Sequence, residues 1–461
     1  MYVCGPTVYD HPHIGHAKSY VSFDVIVRYL RYLGYKVRYV QNITDVGHLT
    51  DNADAGEDKI LKRAQRDRLE PAELVEIYTR SYFEDMDALN NVRPDISPRA
   101  TAHIPEQIEL VEKLVSEGFA YASKGSVYFD VQKYKEYGKL SGRKQEELEA
   151  GARVEINPEK RNPSDFALWK KAESGHIMRW RSPWGDGFPG WHLECSAMSM
   201  KYLGQTLDIH GGGLENIFPH HECEIAQSEA ANKRPFVRYW IHNNMVTVNG
   251  QKMGKSLGNF VTLKDAFKKY HPTTIRFFIL TTHYRSPLDF SNEALDAADK
   301  GLERLHNAVK LLRERLNNAK DGETPPHILE KLAHYKKVFL EAMDEDFNTS
   351  GAIAVLFDLS KDVNSLLSDG HEVGRKCLED IDTFYRQLGG DVLGIIPKAF
   401  ESRQKEESDA LGNVMNVIID TRTELRKAKQ WQLSDFIRNK LLEIGFVLDD
   451  RPEGTTWKKT K

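Results

Sequence analysis

Apolar and polar positions follow two periods along this chain, and the changes of period mark its parts. Met1 to Val8 is a short apolar run; Val3, Thr7, Val8 and Tyr9 suit a pleat, and Pro6 and Pro12 bound it, which predicts a buried strand. From Ala17 to Leu33 the residues Tyr20, Phe23, Val27, Leu30 and Leu33 recur every three or four positions and Gly34 follows as a stop, which predicts a helix. Lys36 to Asn42 reads as a second strand, so the start of the chain is a parallel crossover unit. An acidic loop, Ile43 to Asp58, leads into amphipathic helical stretches at Lys59 to Leu89 and Ile104 to Glu117. Between Ala120 and Pro189 the pattern turns irregular, with strand candidates such as Ser126 to Val131 among Gly, Pro and Trp. Regular structure returns with a strand at Thr206 to His210 running into Gly211–Gly213. A helix follows from Pro219 to Ala231, then strands at Val237 to His242 and Met245 to Val248.

Beyond Ser291 the spacing is that of packed helices. Leu295, Ala298, Leu302, Leu305, Val309, Leu312 and Leu316 alternate three and four apart, and similar helices are predicted near 326–343, 350–367 and 371–388. Gly389-Gly390 closes the last of them. After a linker near 390–405 come two helices, near 406–428 and 433–444. A hairpin ends the chain, with strands Phe446 to Asp449 and Thr455 to Trp457 around a turn at Arg451-Pro-Glu-Gly454. The fold class is α/β: a parallel sheet split by an insertion, then a helical bundle, then a small mixed α/β C-terminal module.

Composition narrows the setting. At 461 residues, several domains are expected. The chain is 40% hydrophobic and 29% charged, with no apolar run of membrane-span length, so no membrane partner is expected. A formal net charge of −4 means that a polyanion would need a local basic surface. Four cysteines in such a length do not make a disulfide framework; a reduced cytoplasmic setting, with cysteines used for packing or metal, is expected. Cys377 falls on the helical series Val373, Cys377, Ile381, Phe384, Leu388 and is assigned to packing.

Two regions carry candidate chemistry. His13-Ile-Gly-His16 lies where a strand hands over to a helix, and a helix N-terminus with Gly15 beside it receives phosphate well. Cys4, Cys195, His220 and Glu224 are metal-competent types, and His220 and Glu224 are four apart on one helix. Cys223 lies near the same face, so spacing leaves Cys223 and Glu224 both open as the fourth ligand. At the chain end Trp457 stands beside Lys458, Lys459 and Lys461, an aromatic with positive charge that suits unpaired bases and phosphates.

His13-Ile-Gly-His16 resembles the HIGH signature of class I aminoacyl-tRNA synthetases, and Lys252-Met-Gly-Lys-Ser256 resembles their KMSKS loop, with Gly254 where serine is usual. Cys4-Gly-Pro-Thr7, Gly190-Trp-His-Leu-Glu-Cys-Ser196 and Phe218-Pro-His-His-Glu-Cys-Glu224 narrow the resemblance to the cysteinyl-tRNA synthetases, over nearly the whole chain. That family carries a short stretch before the first strand, in which Met1 already lies here, so a missing edge strand is expected. The resemblance implies a Rossmann-type catalytic domain in two halves, 1–118 and 203–250, around an inserted domain at 119–202. A loop and stem-contact region at 251–290, a bundle at 291–390 and an anticodon-binding module at 391–461 complete it. It implies cysteine activation with ATP and Mg2+ and transfer to tRNA(Cys) by a cytoplasmic monomer that does not engage DNA. His13, His16, Lys252 and Lys255 would be catalytic, and His13, Gly15, His16, Gly211 and Lys255 would bind ATP. Gly5, Thr7, Thr44, Trp191 and His210 would form the cysteine pocket. One Zn2+ would sit on Cys4, Cys195, His220 and Glu224, the motif's second glutamate being the ligand, and take the substrate sulfur. A carboxylate also leaves the metal more Lewis acidic than a third thiolate. Trp457, Lys458 and Lys459 would contact tRNA. Two other readings stand beside this one: a related ligase joining cysteine to an amino sugar in mycothiol synthesis, which lacks the full C-terminus, and a non-catalytic tRNA-binding protein descended from a synthetase.

Overall fold

The chain folds as two units, Met1–Ile396 and Pro397–Lys461, in a computed structural model. It describes residues 1–46, 49, 58–143, 157–174, 176–254, 257–368, 372–400, 403–451 and 454–459. The first strand, β1, is only Tyr2–Val3, shorter than Met1 to Val8 predicts. Gly5 and Pro6 interrupt the ladder, yet the extended path goes on: the Cys4 N–H donates to Gly211 O at 3.0 Å, and Thr7 forms a parallel bridge with Thr44. Helix α1 runs Ile14–Tyr32, three residues earlier than the apolar spacing alone predicts, because His13 caps it. Of the second predicted strand only Val40–Gln41 forms, as β2.

The helical stretch 59–89 is two helices, α2 (Lys59–Asp67) and α3 (Pro71–Ala88). Arg68 turns left-handed (φ 57) and Pro71 starts the second helix, so the break has a local cause. After α4 (Ile104–Ser116) comes the insertion, an antiparallel sheet of β3 (Ala120–Ser123), β4 (Ser126–Phe129), β5 (Phe166–Lys171) and β6 (Gly187–Pro189) in that order. Helix α5 (Trp191–Leu203) leads to β7 (Leu207–Gly213), which keeps strand geometry through all three glycines. Gly211 permits this: a Cβ there would lie 2.4 Å from the Phe23 ring of α1. Helix α6 covers Glu222–Asn232, not from Pro219 as predicted, because Ile217–His221 is one irregular turn with Phe218 extended. Strand β8 (Val237–Asn243) completes a parallel sheet in the order β2-β1-β7-β8. A small sheet follows from β9 (Val246–Val248), β10 (Gln251–Lys252) and, after helices α7 (Leu263–Phe267) and α8 (Pro272–Leu280), β11 (Leu288–Phe290).

Four bundle helices follow: α9 (Asn292–Asn317), α10 (Pro326–Asp344), α11 (Thr349–Ser368) and α12 (Arg375–Phe384). Cys377 is fully buried on the α12 face with Leu378 and Ile381, a packing residue as its spacing predicts. The glycine pair does not close α12. The chain continues as a wide turn, Tyr385–Val392, and a Cβ on Gly389 would lie 2.6 Å from Ile396, so the pair lets the turn fold back on itself. Arg276, wholly buried on α8, holds this turn to α1 and to the end of α3. Its Nε donates to Leu393 O at 2.8 Å, its Nη1 to Leu89 O at 3.1 Å, and its Nη2 to Asp24 of α1. Among the described residues, no helix is long and apolar enough to cross a membrane.

The second unit has α13 (Arg403–Lys427), α14 (Trp431–Glu443) and a hairpin of β12 (Phe446–Arg451) with β13 (Gly454–Lys459). Its core is Met415, Leu441, Phe446 and Leu448.

Candidate active site

The turn ahead of α1 builds two donors from two histidines. His13 caps the helix: its Nδ1 accepts the Gly15 N–H at 3.1 Å, while its own N–H donates to His16 Nδ1 at 3.1 Å. The rings face each other with centroids 3.8 Å apart. Burial, and then the neighbouring His13, hold the His16 pKa well below its ordinary value, so His16 stays neutral. With both Nδ1 atoms accepting, the Nε2 of each ring is left as the donor. Gly15 is required for this approach, since a Cβ would lie 2.9 Å from the His13 ring.

A second segment is pinned against this turn. The Ile14 N–H donates to Val261 O at 3.2 Å and the Leu263 N–H to Pro12 O at 2.9 Å; Phe260 sets its edge on His13, centroids 5.1 Å apart. Upstream, Asn259 ties down the base of the Lys252–Ser256 loop. Its Oδ1 accepts the Gly254 N–H at 2.9 Å and its Nδ2 donates to Lys252 O at 3.1 Å. Lys252 is exposed at the end of β10. Lys255 and Ser256 lie outside the described residues.

Behind the helix start is a buried set of soft and hard donors. Cys4 follows β1, Cys195 sits on α5, and His220 and Glu224 come from the turn and helix after β7. One ligand atom from each lies within 4.8 Å of all the others, and all four residues are buried. Cys4 Sγ is 3.9 Å from Cys195 Sγ, and His220 Nε2 is 3.2 Å from Glu224 Oε1. A second set, Cys4, His210, His221 and Glu224, shares two of these residues. Cys223 faces elsewhere, its Sγ 3.4 Å from Tyr137 Oη. Burial, then Cys195 and Glu224, raise the Cys4 thiol well above its ordinary pKa.

The residues predicted for the cysteine pocket border this set. The Gly5 N–H donates to Asn42 Oδ1 at 2.8 Å, Thr7 pairs with Thr44, and the Thr44 hydroxyl donates to Glu194 Oε2 at 2.8 Å. Trp191 lies 4.3 Å, centroid to centroid, from the His220 ring. His210 Nε2 is 2.8 Å from Glu224 Oε2, and its ring stacks on Trp240. Sequence reasoning passed over several neighbours. His192 Nδ1 meets His220 Nδ1 at 3.0 Å, His221 Nε2 is 3.3 Å from Cys4 Sγ, and His242 Nε2 is 2.8 Å from His221 Nδ1. Glu194 is fully buried and its carboxyl is raised well above the usual range by that burial. Lys18 is buried on α1, holding Met245 O at 3.3 Å and also Ser286 O; burial pulls it down to about 8 against the opposing charge of Glu215. His192 and His221 stand inside the quoted motifs, so adjacency to a candidate ligand was the available signal.

In the second unit Trp457 spends its indole on the local core, edge-on to Phe446 at 5.7 Å, and Lys458 is exposed. Lys459 lies on β13.

Known proteins match this arrangement along its length. Residues 1–300 match the family described as tRNA synthetases class I (C) catalytic domain, and residues 338–397 match the DALR domain. The cysteine–tRNA ligase of Chlorobaculum tepidum is 56% identical, covering 100% of this chain and 94% of its own length. A cysteine–tRNA ligase of Thermus thermophilus is 50% identical over 99% and 94%. Among solved structures, Mycobacterium tuberculosis methionyl-tRNA synthetase in complex with methionyl-adenylate superposes with a TM-score of 0.62 at 17% identity, over 86% of this chain and 91% of that one. At that identity the likeness speaks for the fold.

Proposed function

The chain belongs to the cysteine–tRNA ligase family of class I tRNA synthetases, and on that footing we propose how its residues divide the reaction. A carboxylate oxygen of L-cysteine attacks the α-phosphorus of ATP, the bond to the bridging oxygen breaks, and pyrophosphate leaves cysteinyl-adenylate behind. The 3′-terminal adenosine of tRNA(Cys) then attacks the carbonyl carbon through a hydroxyl that loses its proton, and AMP departs. No protein nucleophile is needed; the protein supplies position and positive charge where phosphate oxygens gain negative charge. His13 and His16 donate through Nε2 beside the amides of the α1 N-terminus, with Gly15 and Gly211 permitting close approach. Lys252 and Lys255 bring charge to the pyrophosphate side, and Mg2+ accompanies ATP. Gly5, Thr7, Thr44, Trp191 and His210 surround the amino acid. Trp457, Lys458 and Lys459 belong to the tRNA side. The setting is the cytoplasm, and the working form is a monomer that does not engage DNA.

The observation that carries the substrate choice is the buried Cys4, Cys195, His220 and Glu224 set. Two thiols, an imidazole and a carboxylate suit Zn2+. The donor chemistry also asks for a cation: burial disfavours the thiolate of Cys4, and a bound divalent ion is what would offset that cost. Zinc there would accept the substrate's sulfur and discriminate it from a serine hydroxyl, a poor zinc ligand. The test is cysteine-dependent exchange of pyrophosphate into ATP, with and without tRNA, followed by charging of tRNA(Cys). Exchange that proceeds equally well with serine, or not at all with cysteine, refutes the proposal.

A further inference from the structure

The hydroxyl of Tyr2 is buried with no hydrogen-bond partner, in a chain position that puts it behind the thiol pair. Tyr2 is 0% exposed and its Oη meets no acceptor in hydrogen-bond geometry. Such an orphan costs about 1–3 kcal/mol relative to a satisfied group, and native interiors seldom keep one without a use. Tyr2 and Cys4 stand two apart on one extended path, so their side chains leave the same face of the sheet. In the parallel register Tyr2 lies opposite His210, and its ring meets the His210 ring edge-on at 5.2 Å. His210 in turn touches Glu224. Cys4 Sγ lies 3.9 Å from Cys195 Sγ and 3.8 Å from Glu224 Oε1, so the sheet face that carries the phenol also carries three of the four residues assigned to the metal. A phenol O–H is a hydrogen-bond donor, and that is the role open to it towards sulfur and carboxylate acceptors.

We propose that Tyr2 is a positioning residue for the metal centre: its hydroxyl donates a hydrogen bond to the sulfur of Cys195 once that sulfur is a metal-bound thiolate. This inference rests on the metal reading given above. A neutral thiol is a weak acceptor and a thiolate a strong one, so the contact gains strength when the sulfur binds a metal. A hydrogen bond to the thiolate draws charge from the sulfur, fixes its lone pairs relative to the metal, and leaves the metal better able to take a further sulfur ligand from the substrate.

The variant Tyr2→Phe tests this, because it removes only the oxygen. Metal-free wild type and variant should melt at the same temperature, or the variant slightly higher, since the lost group had no partner to lose. Loaded with Co2+ in place of zinc, wild type should bind one ion per chain. The variant should bind about 10-fold more weakly, and its sulfur-to-cobalt charge-transfer band should move to lower energy, as a thiolate relieved of a hydrogen bond requires. A merely structural tyrosine moves neither the band nor the ratio of metal affinities. If wild type and variant share one affinity and one band position, the inference fails while the metal site stands. If wild type itself takes up no cobalt, the metal reading fails and the role of Tyr2 falls with it.

Discussion

Cys4 Sγ and Cys195 Sγ lie 3.9 Å apart, across a separation of 191 residues. That distance is nearly twice a disulfide's sulfur–sulfur bond of about 2.05 Å and close to the spacing of two sulfurs on one tetrahedral ion, each about 2.3 Å from the metal. The two candidates on α6 meet different partners. Glu224 turns an oxygen to His220 at 3.2 Å, whereas Cys223 turns its sulfur to Tyr137.

The variant Cys223→Ser should keep zinc content and cysteine affinity near wild type. In Glu224→Gln the loss of the carboxylate should reduce metal affinity at least about 10-fold, with cysteine affinity falling alongside. Metal analysis by mass spectrometry and calorimetric titration with cysteine read both. A zinc-free serine variant beside a loaded glutamine variant would reverse the ligand assignment.

How much of this was legible depended on sequence distance. The helix from Ile14 to Tyr32 announced itself by spacing, because its apolar face and its stop at Gly34 are local. The pairing of Tyr2 with both Val40 and His210 is long-range, so sequence indicated a strand without its neighbours. His221 was visible as a histidine in a motif, but its partner His242 arrives on β8, and only folding makes them one pair at 2.8 Å. Gly5 read as part of a motif, whereas its physical need is tertiary: a Cβ there would lie 1.5 Å from the Asn42 carbonyl oxygen. Arg276 carried no signal at all. An arginine inside an apolar helix looks like an exposed residue until Asp24, Leu89 and Leu393 close around it.

Asn259 fastens the base of the loop that bears Lys255, through one bond to Gly254 and one to Lys252. Replacing it with alanine removes both without touching either lysine. The rate of cysteine-dependent pyrophosphate exchange at saturating ATP should fall about 10-fold, the cost of roughly 1.4 kcal/mol in the transition state, with little change in the Kd for ATP. Rapid-quench measurement of adenylate formation distinguishes this from weaker ATP binding. A rise in Kd alone, with the rate constant unchanged, contradicts the assignment.

Asp450 makes the C-terminal hairpin pH-dependent. Arg422 grips it with two bonds, 2.8 and 2.9 Å, and holds its carboxyl far below the usual range; partial burial opposes this, and Thr455 and Arg426 add to it. A carboxyl depressed in the folded state contributes stability above its unfolded value, about 3.9, and loses it as pH falls towards the folded value. The pair is partly exposed, so its worth is about 1 kcal/mol. Asp450→Asn should therefore lower the denaturation midpoint of the second unit at pH 7 and have progressively less effect below pH 4. An effect of the same size at pH 7 and at pH 3 would sink the argument.

Truncation at the boundary between the two units should separate activation from charging. The composition break near 390–405 places the division only loosely, and cutting at Gly390 would fall inside the wide turn Tyr385–Val392 and remove Leu393, whose carbonyl receives Arg276. The guanidinium would then lose an acceptor in a wholly buried place and loosen its hold between α1 and α8, a cost of about 1–3 kcal/mol carried to the helix that bears His13 and His16. A chain stopped after Ile396 keeps every one of those contacts. The Ile396 truncation should retain cysteine-dependent pyrophosphate exchange near the full-length rate and lose most tRNA charging, seen as a rise in KM for tRNA(Cys). The Gly390 truncation should lose thermal stability and exchange together. If the Ile396 truncation charges tRNA as well as the full chain, residues 397–461 do not serve tRNA; if both truncations exchange alike, the buried guanidinium does not support the catalytic helix.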